Sequence, residues 1–142
     1  MTTPIKYEIA KLIKEKGFDE ECSHAYKEVE TPVLYVHQDK KYNNSFKKEW
    51  QNTVRKNSHM DNAIINRYSA PTIAEVVMWI YEKHGIWIDV SLNQFSKPKD
   101  LQWMYSIVFI ENCTYSHSPK SYNTPTEAYE SAIVYVLTEI IK

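Results

Sequence analysis

Apolar residues recur at helical spacing in three stretches of this chain and alternate at strand spacing in two others. Ile5, Ile9, Leu12 and Ile13 share one face with the stem of Lys16, which predicts a helix over 5–16. Thr3-Pro4 reads as its cap and first-position proline, and Gly17 as a left-handed closing residue onto which Phe18 folds back. A second stripe, Ile73, Val76, Val77 and Ile80, is widened by Met78, Trp79 and Tyr81, and predicts a helix over 73–84 packed on two sides. A third, Tyr129, Ala132, Ile133, Val136, Leu137 and Ile140, predicts a helix over 125–141. Thr72-Ile73-Ala74-Glu75 and Thr124-Pro125-Thr126-Glu127 open the last two as capping boxes, the threonine oxygen and the glutamate each taking an orphan backbone N–H.

The alternating stretches lie between those two helices. In Ile86–Ser91 the side chains of Ile86, Ile88 and Val90 oppose Trp87, Asp89 and Ser91. In Gln102–Ile110, Trp103, Tyr105, Ile107 and Phe109 oppose Met104, Ser106, Val108 and Ile110. The join, Leu92 to Leu101, is too long for a tight hairpin and reads as an exposed loop. A shorter strand is expected at Val33–His37, after Thr31-Pro32. Together these predict one α+β domain over 1–142, in the order α-β-(α)-α-β-β-α. It is a small antiparallel sheet, of two to three or more strands, packed on one face by three helices. The other face then carries Trp87, Met104, Val108 and Ile110, apolar enough to ask for a partner. A two-fold homodimer is the simplest partner for a self-complementary patch. The stretch 43–55 is the competing cover within one chain.

Composition narrows the class. The chain has 142 residues, 43% of them hydrophobic and 25% charged, which excludes a disordered chain. No apolar run approaches the roughly 18–20 residues needed to cross a bilayer. The first sixteen residues lack a signal peptide's continuous apolar region, so Cys22 and Cys113 are expected as reduced thiols in a cytoplasm. The 2 glycines, Gly17 and Gly85, exclude a glycine-rich phosphate cradle. The 11 tyrosines and 4 tryptophans favour a pocket or an interface.

Some of these phrases are similar to known ones. Glu8-Ile9-Ala10-Lys11-Leu12-Ile13-Lys14-Glu15-Lys16-Gly17-Phe18-Asp19-Glu20, followed by Cys22, resembles the N-terminus of small uncharacterised proteins of gut-bacterial phages and prophages. Ala70-Pro71-Thr72, Trp79 and Glu82-Lys83-His84-Gly85-Ile86 resemble their middle, and Tyr122-Asn123-Thr124-Pro125-Thr126-Glu127-Ala128-Tyr129-Glu130 the start of their last helix. Residues 38–69 depart from that pattern. The resemblance implies a context, an accessory protein of a phage or mobile element acting in the cytoplasm of a bacterial host. It implies no catalytic residue.

The candidate chemistry is sparse. Cys22-x-His24 and Cys113-x-x-x-His117 mix ligand types, and the first spacing is too tight for structural zinc, so no metal and no cofactor are expected. His84 ends a helix beside Gly85, where the macrodipole favours a cation. No Gly-x-Ser-x-Gly or His-Glu-x-x-His pattern is present, and the reading is non-enzymatic. The best lead is Lys40–Lys56, within the stretch Asp39–Lys56 where six basic residues face two acids. There Tyr42, Phe46 and Trp50 could stack a base while Lys47, Lys48 and Arg55, with Arg67 and Tyr68 further on, hold a phosphate. The plain alternative is a solvated basic helix docked against the acidic stretch 19–30. Having only two arginines, Arg55 and Arg67, disfavours sequence-specific DNA reading. The expected function is therefore a non-enzymatic phage binding module that blocks or sequesters a host component, in the manner of a counter-defence factor. A sponge for a nucleotide-type signal is the alternative, and a small enzyme the third.

Overall fold

The computed structural model describes residues 2–28, 33–36 and 66–142. The chain is α+β, and its contacts gather into two compact units. One is Pro4–Pro71; the other is Thr72–Lys142 together with Met1–Thr3. The stretch 43–55, expected as the competing cover, lies outside the described residues.

In the first unit, α1 runs from Tyr7 to Glu15 and buries Ile9, Ala10 and Ile13. Its end follows the sequence. Gly17 adopts a φ of 86°, the Phe18 N–H reaches the Ile13 carbonyl at 2.9 Å, and Phe18 is 2% exposed. Its beginning does not. The helix starts after Lys6 with no side-chain cap, because the chain before it is drawn out and the Ile5 N–H donates to the Pro71 carbonyl at 2.9 Å. Among the described residues three antiparallel strands accompany it: β1 (His24–Glu28), β2 (Val33–Val36) and β3 (Asn66–Ser69), in the order β2-β1-β3. Tyr26 pairs with Leu34 on one side and Tyr68 on the other. Of the three, the sequence pattern predicts only β2.

In the second unit, α2 spans Ile73–His84. Its capping box is complete: the Glu75 N–H donates to Thr72 Oγ1 at 3.3 Å, and the Thr72 N–H to Glu75 Oε2 at 2.7 Å. Gly85 closes it in the left-handed region, with a φ of 63°. There follow β4 (Ile86–Leu92), β5 (Trp103–Phe109) and β6 (Thr114–His117), an antiparallel meander in that order. The last helix, α3 (Pro125–Tyr135), uses only half of its expected box. Thr124 Oγ1 accepts from the Glu127 N–H at 3.1 Å, but Glu127 Oε2 takes the N–H of Asn123, one residue further back. Proline stands in the first turn, where its missing N–H costs no helix bond. Beyond Tyr135 the helix continues as a π turn, Val136–Ile140, so Ile140 is half-exposed rather than buried. The Ile141 N–H reaches back five residues to the Val136 carbonyl, and the Thr138 hydroxyl donates to the Val134 carbonyl.

The strands thus form two sheets, and the helices divide with them. α1 lies with the first, while α2 packs on β4 and α3 on β4 and β5. Ile80, Ile88, Ile107, Ile133, Val136 and Leu137 are fully or almost fully buried. Tyr105 joins them, its ring stacked on Tyr122 with centroids 5.9 Å apart. Burial first, then the neighbouring Tyr122 and Tyr135 phenols, push the Tyr105 pKa up to about 12. An unfolded phenol ionises near 10. The folded state therefore holds a proton that the unfolded state releases, and this stability, fully present below about pH 10, is lost as pH rises through about 12. Phenolate absorbance should show Tyr105 ionising late, and Tyr105→Phe should remove that late step. Ionisation near 10 would contradict its burial.

Candidate functional site

The register of the second sheet decides what its open face presents. Trp87 lies opposite Val108, and Val108 opposite Tyr115. One residue pair along, Asp89 lies opposite Ser106, and Ser106 opposite His117. Two rows therefore cross three strands side by side, one apolar and one polar. Met104 is opposite Ser91, and Ile110 follows the end of β5. Trp87, Met104, Val108 and Ile110 thus share the face that the alternation predicts, all at least partly exposed. Trp87 is 37% exposed and meets the Tyr81 ring edge-on at 5.7 Å.

Tyr115 and His117 complete this face; the sequence reading weighs His117 only as a metal ligand and does not single out Tyr115. Their strand is four residues of alternating hydroxyl and ring side chains, Thr-Tyr-Ser-His, with no apolar stripe to announce it. Their only signal is that alternation.

The polar row has a limited chemistry. Ser106 Oγ and His117 Nδ1 lie 3.0 Å apart. The order across the sheet is Asp89, Ser106, His117, so the serine separates carboxylate from imidazole. An activated serine needs the carboxylate on the far side of the histidine, orienting it. This row is instead a set of hydrogen-bonding groups beside an apolar strip.

At one end of the sheet the β4–β5 loop is held by its own bonds. The Asn93 Oδ1 accepts from the Phe95 N–H at 3.0 Å, the Asn93 amide donates to Ser121 Oγ, and the Gln102 N–H donates to Ser96 Oγ. Phe95 nevertheless stands 83% exposed.

The first unit holds a different cluster. The Tyr7 ring meets Tyr26 at 5.5 Å and Tyr68 at 5.6 Å, both edge-on. The Lys14 ammonium sits 4.5 Å from the Tyr68 ring centroid, and that of Lys11 5.4 Å from Tyr7. Tyr68, expected in a base-stacking site, is therefore part of a tyrosine–lysine group whose other members the sequence reading did not name. Arg67 is in β3, its backbone paired opposite Lys27. Tyr42, Phe46, Lys47, Lys48, Trp50 and Arg55 lie outside the described residues.

Cys22 is buried, its thiol donating to the His24 carbonyl at 3.2 Å, and Cys113 is exposed in the β5–β6 turn. Among the described residues no three His, Cys, Asp or Glu side chains gather as metal ligands, and no helix is long and apolar enough to cross a membrane. The His84 ring at the end of α2 packs edge-on against Trp79 at 5.3 Å, and burial lowers its pKa. Desolvation disfavours the imidazolium there despite the helix end. Compared with known proteins, the chain matches no family model, no curated protein and no solved structure.

Proposed function

We propose that this chain is a non-enzymatic binding module that acts by occupancy, with the open face of β4-β5-β6 as its contact surface. The observation that carries the reading is the apolar row Trp87–Val108–Tyr115 left facing solvent beside the polar row Asp89–Ser106–His117. An apolar centre with hydrogen-bonding groups at its border is the composition of a protein-recognition patch. The resemblance to phage proteins supplies the setting: the partner is a component of the bacterial host, and blocking it is a counter-defence act.

Stoichiometry tests this. In extracts of a bacterial host, the effect of the purified chain should rise in proportion to its amount and saturate at a fixed ratio to its target. Trp87→Ala should weaken the effect about tenfold or more, as loss of a central tryptophan anchor does, with the melting temperature little changed. An effect that persists at catalytic amounts, with a substrate consumed, would make the chain an enzyme instead.

The tyrosine–lysine group favours a second reading, a sponge for a nucleotide-type signal. Tyr7, Tyr26 and Tyr68 offer ring surface, and Lys11 and Lys14 offer charge for phosphate. Native mass spectrometry of chain purified from bacterial cells distinguishes the two. A co-purifying nucleotide that Tyr68→Ala loses supports the sponge, and a bare mass from several hosts counts against it.

A further inference from the structure

The two edges of the second sheet are unlike. β6 is a short edge of four residues, whereas β4 runs for seven, Ile86 to Leu92. Among the described residues β5 is the only strand paired with β4. At its ends the Gly85 carbonyl accepts from the Ile110 N–H at 3.0 Å, and the Asn93 N–H donates to the Gln102 carbonyl at 2.7 Å. A strand residue points its N–H and C=O to the same side, and the side alternates. Trp87, Asp89 and Ser91 therefore turn their backbone groups toward β5. Ile86, Ile88, Val90 and Leu92 turn theirs away, and no hydrogen-bond partner for those groups is found among the described residues.

Proteins guard such an edge by keeping it short, or with charged side chains, proline or a bulge. β4 is long, has no lysine, proline or bulge, and carries a single charge, Asp89. Its sequence is Ile-Trp-Ile-Asp-Val-Ser-Leu, and its pairing with β5 is unbroken from end to end.

We propose that β4 is the seam of a two-fold dimer, pairing antiparallel with β4 of a second copy and joining two three-stranded sheets into one of six strands. The strand's single charge selects the register. Centring the axis on Asp89 sets two carboxylates directly opposite each other, which is repulsive. Centring it on Val90 sets each Asp89 opposite the Ser91 hydroxyl of the second copy, a donor for each carboxylate. That register bonds Val90 to its own counterpart and Ile88 to Leu92 of the second copy. It also brings Leu92, 46% exposed, against an apolar neighbour. A self-complementary pairing of this kind closes on itself, which a strand from an unrelated protein does not require. Of the two rows on the open face the seam engages Asp89 alone and leaves Trp87–Val108–Tyr115, which carries the function proposed above, uncovered.

The test is sedimentation of the full chain together with residue-resolved amide exchange. The parent should sediment as a dimer, and its Ile88, Val90 and Leu92 amides should exchange about a hundredfold more slowly than in the diluted monomer. Val90→Pro should weaken dimerisation about tenfold or more, since it deletes an outward N–H without cutting a bond to β5. Asp89 before it is already extended, as a residue preceding proline requires. A monomeric parent would overturn the proposal. So would a dimer whose Ile88 and Val90 amides exchange freely, a dimer that Val90→Pro leaves intact, or protection of those amides that arises only when another protein is added. If Val90→Pro does not fold, the amide pattern of the parent decides alone. Trp87→Ala separates the two readings: it should weaken the host effect and leave the dimer whole.

Discussion

Ile133→Asp should leave the second unit with no cooperative melt. Ile133 lies on α3 with no exposed surface, and Ala132, Val136 and Leu137 beside it are equally covered. The helix packs there on β4 and β5. A carboxylate at this position has no cation to meet among those residues. Removing it from water costs several kcal/mol even when the group takes up a proton instead of staying charged. A domain of this size is stable by only about 5–15 kcal/mol in all, so one such substitution consumes most of it. Val136→Asp should behave alike. Tyr115→Asp, on the open face and 65% exposed, should change stability by no more than about 0.5 kcal/mol. Thermal melts followed by circular dichroism check all three. A parental transition in Ile133→Asp would mean that α3 turns another face to the sheet.

Phe18→Ala should cost the first unit about 3–5 kcal/mol, the range for deleting a buried aromatic ring. Phe18 is the residue just past Gly17, and its N–H bond to Ile13 fixes where the ring is placed. The substitution keeps that backbone bond and removes only the ring, so the loss reports packing. Denaturant titration measures it, and amide exchange in α1 against α3 shows whether the first unit opens separately. A loss below about 1 kcal/mol would mean that the surrounding side chains close over the gap.

The parts of this fold that can be read from sequence are those whose signals are local. Thr72 with Glu75, and Gly17 with Phe18, mark helix ends within a few residues, and the structure uses both. β5 alternates over seven residues with one buried side, and its two faces fall where the alternation puts them. Strands β1, β3 and β6 have no such stripe. His24–Glu28 and Thr114–His117 are mostly polar, and they are strands because a neighbour supplies their hydrogen bonds. Thr3-Pro4 shows the converse, a good local cap that pairing of the extended chain overrides.

The candidate sites follow the same division. Trp87, Met104, Val108 and Ile110 are legible because strand alternation alone groups them. Tyr115 and His117 are not, because the grouping depends on which strand lies beside β5. Tyr7, Tyr26 and Tyr68 are farther apart still in sequence, and only the pairing of β1 with β3 and the packing of α1 bring them together.

The π turn at Val136–Ile140 has a consequence for chain length. Such a turn is an α-helix holding one residue more than its hydrogen-bond ladder requires. The surplus sits after the buried residues Ile133, Val136 and Leu137, near exposed Thr138 and Glu139. Losing one residue there would let the helix close as an ordinary α turn while everything before it kept its place. The end of α3 is thus a slack point, where deletion of a single codon at Thr138 or Glu139 leaves the buried residues before it in place.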